Sequence, residues 1–196
     1  MHQHAFEALP EHSRIHAASG FAGDRFFIIC GDKYAGKSTL ALKLLYEGLH
    51  IVGDELVLLR GSEAVTFPRK MYMRSDCRDL IPSFKRVAED LPFVSNETDY
   101  RIFAFDPLII DRPWRIRPAK LGAVFYIEPN HGGRSRLRAC GKLEMVQRIL
   151  TQASGPISSS WNWIGDITAA VDQADSFIVD LGDLDSAAID LKNCLY

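Results

Sequence analysis

Residues 26–45 read Phe26-Phe27-Ile28-Ile29-Cys30-Gly31-Asp32-Lys33-Tyr34-Ala35-Gly36-Lys37-Ser38-Thr39-Leu40-Ala41-Leu42-Lys43-Leu44-Leu45. The stretch from Gly31 to Ser38 fits the phosphate-loop pattern G-x-x-x-x-G-K-[ST] without a mismatch. Before it, five apolar residues predict a buried strand. After it, the apolar spacing predicts a helix. Such a strand–turn–helix aims backbone N–H groups and the positive end of a helix dipole at one point, which suits a polyphosphate. Gly31, Asp32, Lys33, Tyr34, Ala35, Gly36, Lys37, Ser38 and Thr39 are therefore the candidate nucleotide contacts. Lys37 is expected at the β/γ-phosphates of ATP and the Ser38 hydroxyl on Mg²⁺.

Working outward, the helix is expected to run to about Glu47 and stop at Gly48, a favoured residue just past a helix end. His50-Ile51-Val52 then predicts a short strand, and Asp54-Glu55 follow it. Asp54 lies seventeen positions past Lys37 (54 − 37). One helix and one strand fit in that interval, so the acids can return beside the loop. A phosphoryl-transfer site needs such an acid for metal and a group to position the nucleophile. Ser38, Asp54 and Glu55 are the candidate metal ligands.

Upstream, residues 3–9 and 13–18 predict a hairpin about Pro10-Glu11-His12, followed by a second turn over Gly20–Asp24. His16 falls in the second of these strands. Downstream, strands are predicted over 56–59, 64–67, 101–105, 121–127 and 176–181. Helices are predicted over 81–91, 141–153, 158–173 and 185–194, the last capped by Asp183 or Asp185. Residues 94–100 read as loop, and the basic run Arg112 to Lys120 as a solvated connector. Asn130-His131-Gly132-Gly133-Arg134 reads as a polar turn. Trp161 and Trp163 read as packing aromatics. Strands and helices alternate, so the fold class is α/β, with a mixed sheet flanked by helices.

The chain has 196 residues, enough for one domain spanning 1–196. Its net charge of −2 gives no general affinity for nucleic acid or anionic membrane. Cys30, Cys77, Cys140 and Cys194 are far apart, with neither C-x-x-C nor zinc spacing. The first residues do not read as a signal peptide, and no segment is apolar over a membrane-spanning length. A reducing cytoplasm is the expected compartment.

Taken together, His16, the loop Gly31 to Ser38, Gly48 and Asp54-Glu55 resemble the C-terminal kinase domain of the HPr kinase/phosphorylase family, over about forty residues without a gap. The resemblance implies a phosphate-loop kinase fold akin to that of phosphoenolpyruvate carboxykinase. It implies that Asp54 is a general base toward a substrate hydroxyl, with His16 orienting it and Lys37 offsetting phosphoryl charge. It also allows a homo-oligomer. The chain departs from the family where His16 is followed by Ala17 and where Glu55 replaces a second aspartate. Tyr72 in Met71-Tyr72-Met73-Arg74-Ser75 stands where a metal-binding acid falls in the family. Phe67-Pro68-Arg69, residues 120–128 and residues 177–182 are more similar to short relatives that include precursor-peptide kinases. Arg69 and Arg74 are candidates for charge stabilisation on the same ground. The expected activity is ATP-dependent phosphorylation of a hydroxyl, serine foremost, in a peptide or small protein. A small-molecule kinase and a nucleotide-binding module without catalysis are the alternatives.

Overall fold

The computed structural model describes residues 11–95, 101–154 and 163–196. Thirteen strands are described: β1 (Ser13–Ile15), β2 (Ala18–Ala22), β3 (Arg25–Gly31), β4 (His50–Gly53), β5 (Val57–Arg60), β6 (Glu63–Thr66), β7 (Met71–Arg74), β8 (Phe93–Ser95), β9 (Arg101–Phe105), β10 (Ala119–Pro129), β11 (Arg136–Ala139), β12 (Ala153–Ser154) and β13 (Asp175–Leu181). The helices are α1 (Lys37–Tyr46), α2 (Cys77–Leu80), α3 (Pro82–Ala88), α4 (Lys142–Leu150), α5 (Trp163–Gln173) and α6 (Leu184–Leu195), with a 3₁₀ turn at Pro107–Ile110.

Ten strands form one mixed sheet, and β10 joins its parts. Ala119 and Lys120 pair antiparallel with β6. Past a bulge between Leu121 and Ala123, the strand runs parallel to β3. On its other side it runs parallel to β13, from Ala123 to Pro129. β3 is thus central and covered on both faces, which explains its unbroken apolar run. Phe27 and Ile29 enter one core with α1, α6, Phe125 and Val179. Phe26, Ile28 and Cys30 enter the opposite core with α4, α5, Val124 and Ile178. Parallel β3, β10 and β13 flanked by helices confirm the α/β class.

A second, three-stranded sheet in the order β7-β9-β8 sits over the α1 side. Phe84 of α3 anchors it, edge-on to Phe103 at 6.2 Å and to Phe105 at 5.6 Å between ring centroids. Phe105 in turn stacks on Tyr46 of α1 at 6.3 Å.

Several boundaries differ from the sequence expectation. The strand predicted over 13–18 is broken at His16-Ala17, and its second part continues as β2 through Ala22. The turn is therefore Gly23-Asp24, with Gly23 at φ 56°. The helix predicted over 81–91 closes at Ala88, and the one over 141–153 closes at Leu150, leaving room for β12. β7 and β11 are only four residues each, too short to stand out, and Phe93–Ser95, read as loop in part, is an edge strand on β9. The first predicted strand, over 3–9, lies outside the described residues, as do Trp161 and the start of the helix predicted over 158–173. Trp163 opens α5 and packs against the core below β3. The basic run is a strap: Arg115 donates to the Gly23 carbonyl at 2.6 Å, and Arg117 pairs with Asp24 at 2.6 Å. Among the described residues no helix is long and apolar enough to cross a membrane.

Candidate active site

The loop leaves β3 at Gly31, whose φ of 149° favours glycine. It enters α1 at Gly36, with φ of 101°. The left-handed φ favours glycine, and a Cβ there would also stand 2.8 Å from a methyl of Leu181, which would have to move. Tyr34 takes φ of 69°, and its ring is exposed. Asp32 pins the loop from behind: Gln152 Nε2 donates to its Oδ1 at 2.8 Å, and the Tyr126 hydroxyl does so at 3.3 Å. The sequence offered no signal for either partner, since both come from distant elements.

Lys37 is buried, and its Nζ donates to the carbonyls of Gly31 at 2.7 Å and Asp32 at 2.9 Å. Burial lowers its pKa, while Cys30, Asp32 and Asp54 act in the other direction. Asp54 follows β4 and is 7 % exposed. Burial raises its pKa; a hydrogen bond from the Ser38 hydroxyl, then the charges of Arg69 and Lys37, oppose that rise. The returning carboxylate therefore lies beside the loop serine, as the chain spacing allowed.

His16 sits at the break between β1 and β2 rather than inside a strand. Its backbone N–H donates to Gln152 O at 2.8 Å. Its ring Nδ1 lies 3.1 Å from the carbonyl oxygen of Glu55. A carbonyl only accepts, so this bond puts the ring proton on Nδ1. Burial and the Lys37 charge lower its pKa, which favours the neutral ring. His16 thus holds the backbone one residue past Asp54. The Glu55 carboxylate is ion-paired with Arg69, whose guanidinium lies 4.7 Å from the centre of the Tyr72 ring. Arg74 lies over the Tyr34 ring at 5.3 Å and pairs with Asp76 at 3.0 Å.

These groups open onto one cavity of about 730 Å³. Lys33 to Thr39, His16, Asp54 and Glu55 all line it, whereas Gly31 and Asp32 lie behind and act through their carbonyls on Lys37. Arg69, Tyr72 and Arg74 line it as well. His131, Asp183 and Asp185 also reach it. His131 belongs to the segment read only as a turn. Asp183 was legible only as a cap, and it does cap α6, accepting from the backbone N–H of Ser186 at 3.0 Å.

No protein-family model matches the chain, and no curated protein matches it. Among solved structures, the Hpr(Ser) kinase/phosphatase from Coxiella burnetii aligns over 92 % of this chain and 91 % of that chain, with 11 % sequence identity and a TM-score of 0.43.

Proposed function

We propose that the protein is an ATP-dependent kinase that transfers a phosphoryl group to a hydroxyl, serine foremost, of a peptide or small protein. One observation carries this: the buried Asp54 carboxylate opens onto the same cavity as Ser38 and Lys37 of the phosphate loop. A phosphate loop alone describes binding; a carboxylate beside it gives the acceptor proton somewhere to go.

The residues fit a magnesium nucleotide. Gly31 and Gly36 shape the loop, and a side chain at Gly36 would fill the space that Leu181 takes. Ser38 and Asp54 offer hard oxygen donors, and Mg²⁺ characteristically takes only one or two carboxylates, completing its shell with water and phosphate. When bound, Mg–ATP supplies the phosphoryl group and the cation that screens it.

Lys37 exchanges its two carbonyl bonds for phosphate oxygens. A serine hydroxyl is not ionised at neutral pH, so Asp54 accepts its proton as the acceptor oxygen forms its bond to phosphorus and the bond to the departing diphosphate breaks. His16, with its proton on Nδ1, fixes the Asp54-Glu55 backbone. The cavity has the volume of a ligand pocket, and its wall of Arg69, Tyr72 and Arg74 offers charge and ring faces to a polypeptide. The four free cysteines accord with a reducing cytoplasm.

The test is transfer of labelled phosphate from ATP into cell extract. Labelled polypeptide is expected, and Asp54→Asn is expected to lower transfer by about 10²–10⁴-fold while nucleotide affinity stays within a few-fold. Label only in low-mass material would mean a small-molecule kinase. Tight Mg–ATP binding without any transfer would reduce the protein to a binding module.

A further inference from the structure

Glu55 occupies the place of a second metal-binding acid, yet its carboxylate is already engaged by Arg69. Arg69 is held twice, since its guanidinium carbon also lies over the Tyr72 ring, 4.7 Å from its centre. It is nonetheless not sealed away: its side chain is 23 % exposed, and it lines the cavity that holds Lys37 and Ser38. Lys37 comes from the loop, while Arg69 comes from the stretch just before β7, and the charges of both bear on the Asp54 carboxylate. Two cations from separate segments that line one cavity make it a place for an anion. A planar guanidinium, held by a carboxylate and an aromatic ring, keeps further N–H donors for that anion.

We propose that Glu55 is not a magnesium ligand but the positioning residue for Arg69, and that Arg69 takes the oxygens of the phosphoryl group during transfer. This rests on the kinase reading above. In the step, negative charge spreads over the three equatorial oxygens of the moving group, and an arginine fixed beforehand stabilises it without reorganising. Glu55 then has two tasks at two atoms: its carbonyl accepts from His16, and its carboxylate sets Arg69. Magnesium is left to Ser38 and Asp54.

The test separates metal from phosphoryl contacts without needing the acceptor. Mn²⁺ binding in the ADP complex is titrated by electron paramagnetic resonance, and binding of ADP with aluminium fluoride, a mimic of the moving phosphoryl group, by calorimetry. Glu55→Gln is expected to leave Mn²⁺ affinity within about twofold, whereas Ser38→Ala weakens it about 10-fold or more. Glu55→Gln and Arg69→Ala are both expected to weaken the aluminium fluoride complex about 10- to 100-fold relative to ADP alone. The double variant should lose no more than Arg69→Ala, because the two act as a unit. Arg69→Lys, which keeps the charge and the fold but not the fork, should recover only part of the loss, and thermal melts of each variant report folding separately.

A tenfold drop in Mn²⁺ affinity in Glu55→Gln would overturn the inference, as would unchanged aluminium fluoride binding in Arg69→Ala. Failure of the wild-type protein to bind Mn–ADP would instead remove the kinase reading, and this inference with it.

Discussion

The ammonium group of Lys37 lies 2.7 Å from the carbonyl oxygen of Gly31, the residue that opens its own loop. A second bond, to Asp32 O at 2.9 Å, completes a small ring in which the lysine closes the loop on itself. Both are charge-assisted bonds from a buried cation, so the group is desolvated before any phosphate arrives. Lys37→Ala is expected to weaken Mg–ATP about 10- to 100-fold, the value of one or two charged hydrogen bonds. Fluorescence titration with a labelled nucleotide checks this; unchanged affinity would remove the loop from the binding site.

Gly36 carries a backbone demand and a space demand at one atom. At φ of 101° alanine strains the turn, and with Leu181 Cδ2 2.8 Å from where its Cβ would stand, the Leu181 side chain must shift as well. Gly36→Ala should cost about 1–3 kcal/mol, lower Tm, and weaken nucleotide binding. The same change at Gly132, where nothing lies within 4 Å of the added carbon, meets only the backbone term and stands beyond the loop. The contrast in melting and binding between these two variants is the measurement.

Three histidines share a direction. Burial comes first for His12, His16 and His50, and nearby cations (Arg60, Lys37, and Arg115 with Arg112) add to it; all three pKa values are lowered. The unfolded chain then binds these protons more readily than the folded one. Their contribution to stability is complete above the unfolded value of 6.5 and is lost as pH falls through the lowered folded values. Denaturation midpoints measured from pH 7.5 to 5 should fall with pH, and replacing His12 with glutamine should flatten that slope. A slope unchanged in this variant would speak against it.

The thiols should divide in two. Cys30 is fully buried, and burial pushes its pKa up to about 12; Cys77 is also buried and raised. Cys140 and Cys194 are raised as well, but they are only half-buried and within reach of a reagent. Since the thiolate is the reacting form, Ellman's reagent at pH 8 should titrate Cys140 and Cys194 in the folded protein and all four cysteines after unfolding. Fast reaction of Cys30 would contradict the packing of β3 between two cores.

Much of this was legible in the sequence because it is local. The loop, its preceding strand, α1 ending at Gly48 and the return to Asp54 all lie within one short stretch, where apolar period and glycine placement suffice. The break at His16-Ala17 was not legible. Both flanking segments are apolar enough for a single strand, and the break exists because β1 pairs with β5 while β2 pairs with β3 and β4. The pairing of Glu55 with Arg69 was hidden too, since periodicity says nothing of which charge meets which across a cavity. His131 and Asp183 reach the site only through the parallel alignment of β3, β10 and β13, which brings strand ends about a hundred or more residues apart side by side, and Gln152 reaches its supports through β12, which pairs with β1.

That alignment has a consequence during synthesis. Gly36 leaves the ribosome 145 residues before Leu181 (181 − 36), the residue whose methyl lies against it. At about 5–20 residues per second, the loop waits roughly 7–30 s for the strand that closes over it. β3 first has only β2 beside it, with β4 on the far side of β2; β10, its other neighbour, follows, and β13 adds to β10 last of all. A nascent chain can therefore carry every residue of its phosphate loop and still lack the shaped site, which comes into being only as β13 docks.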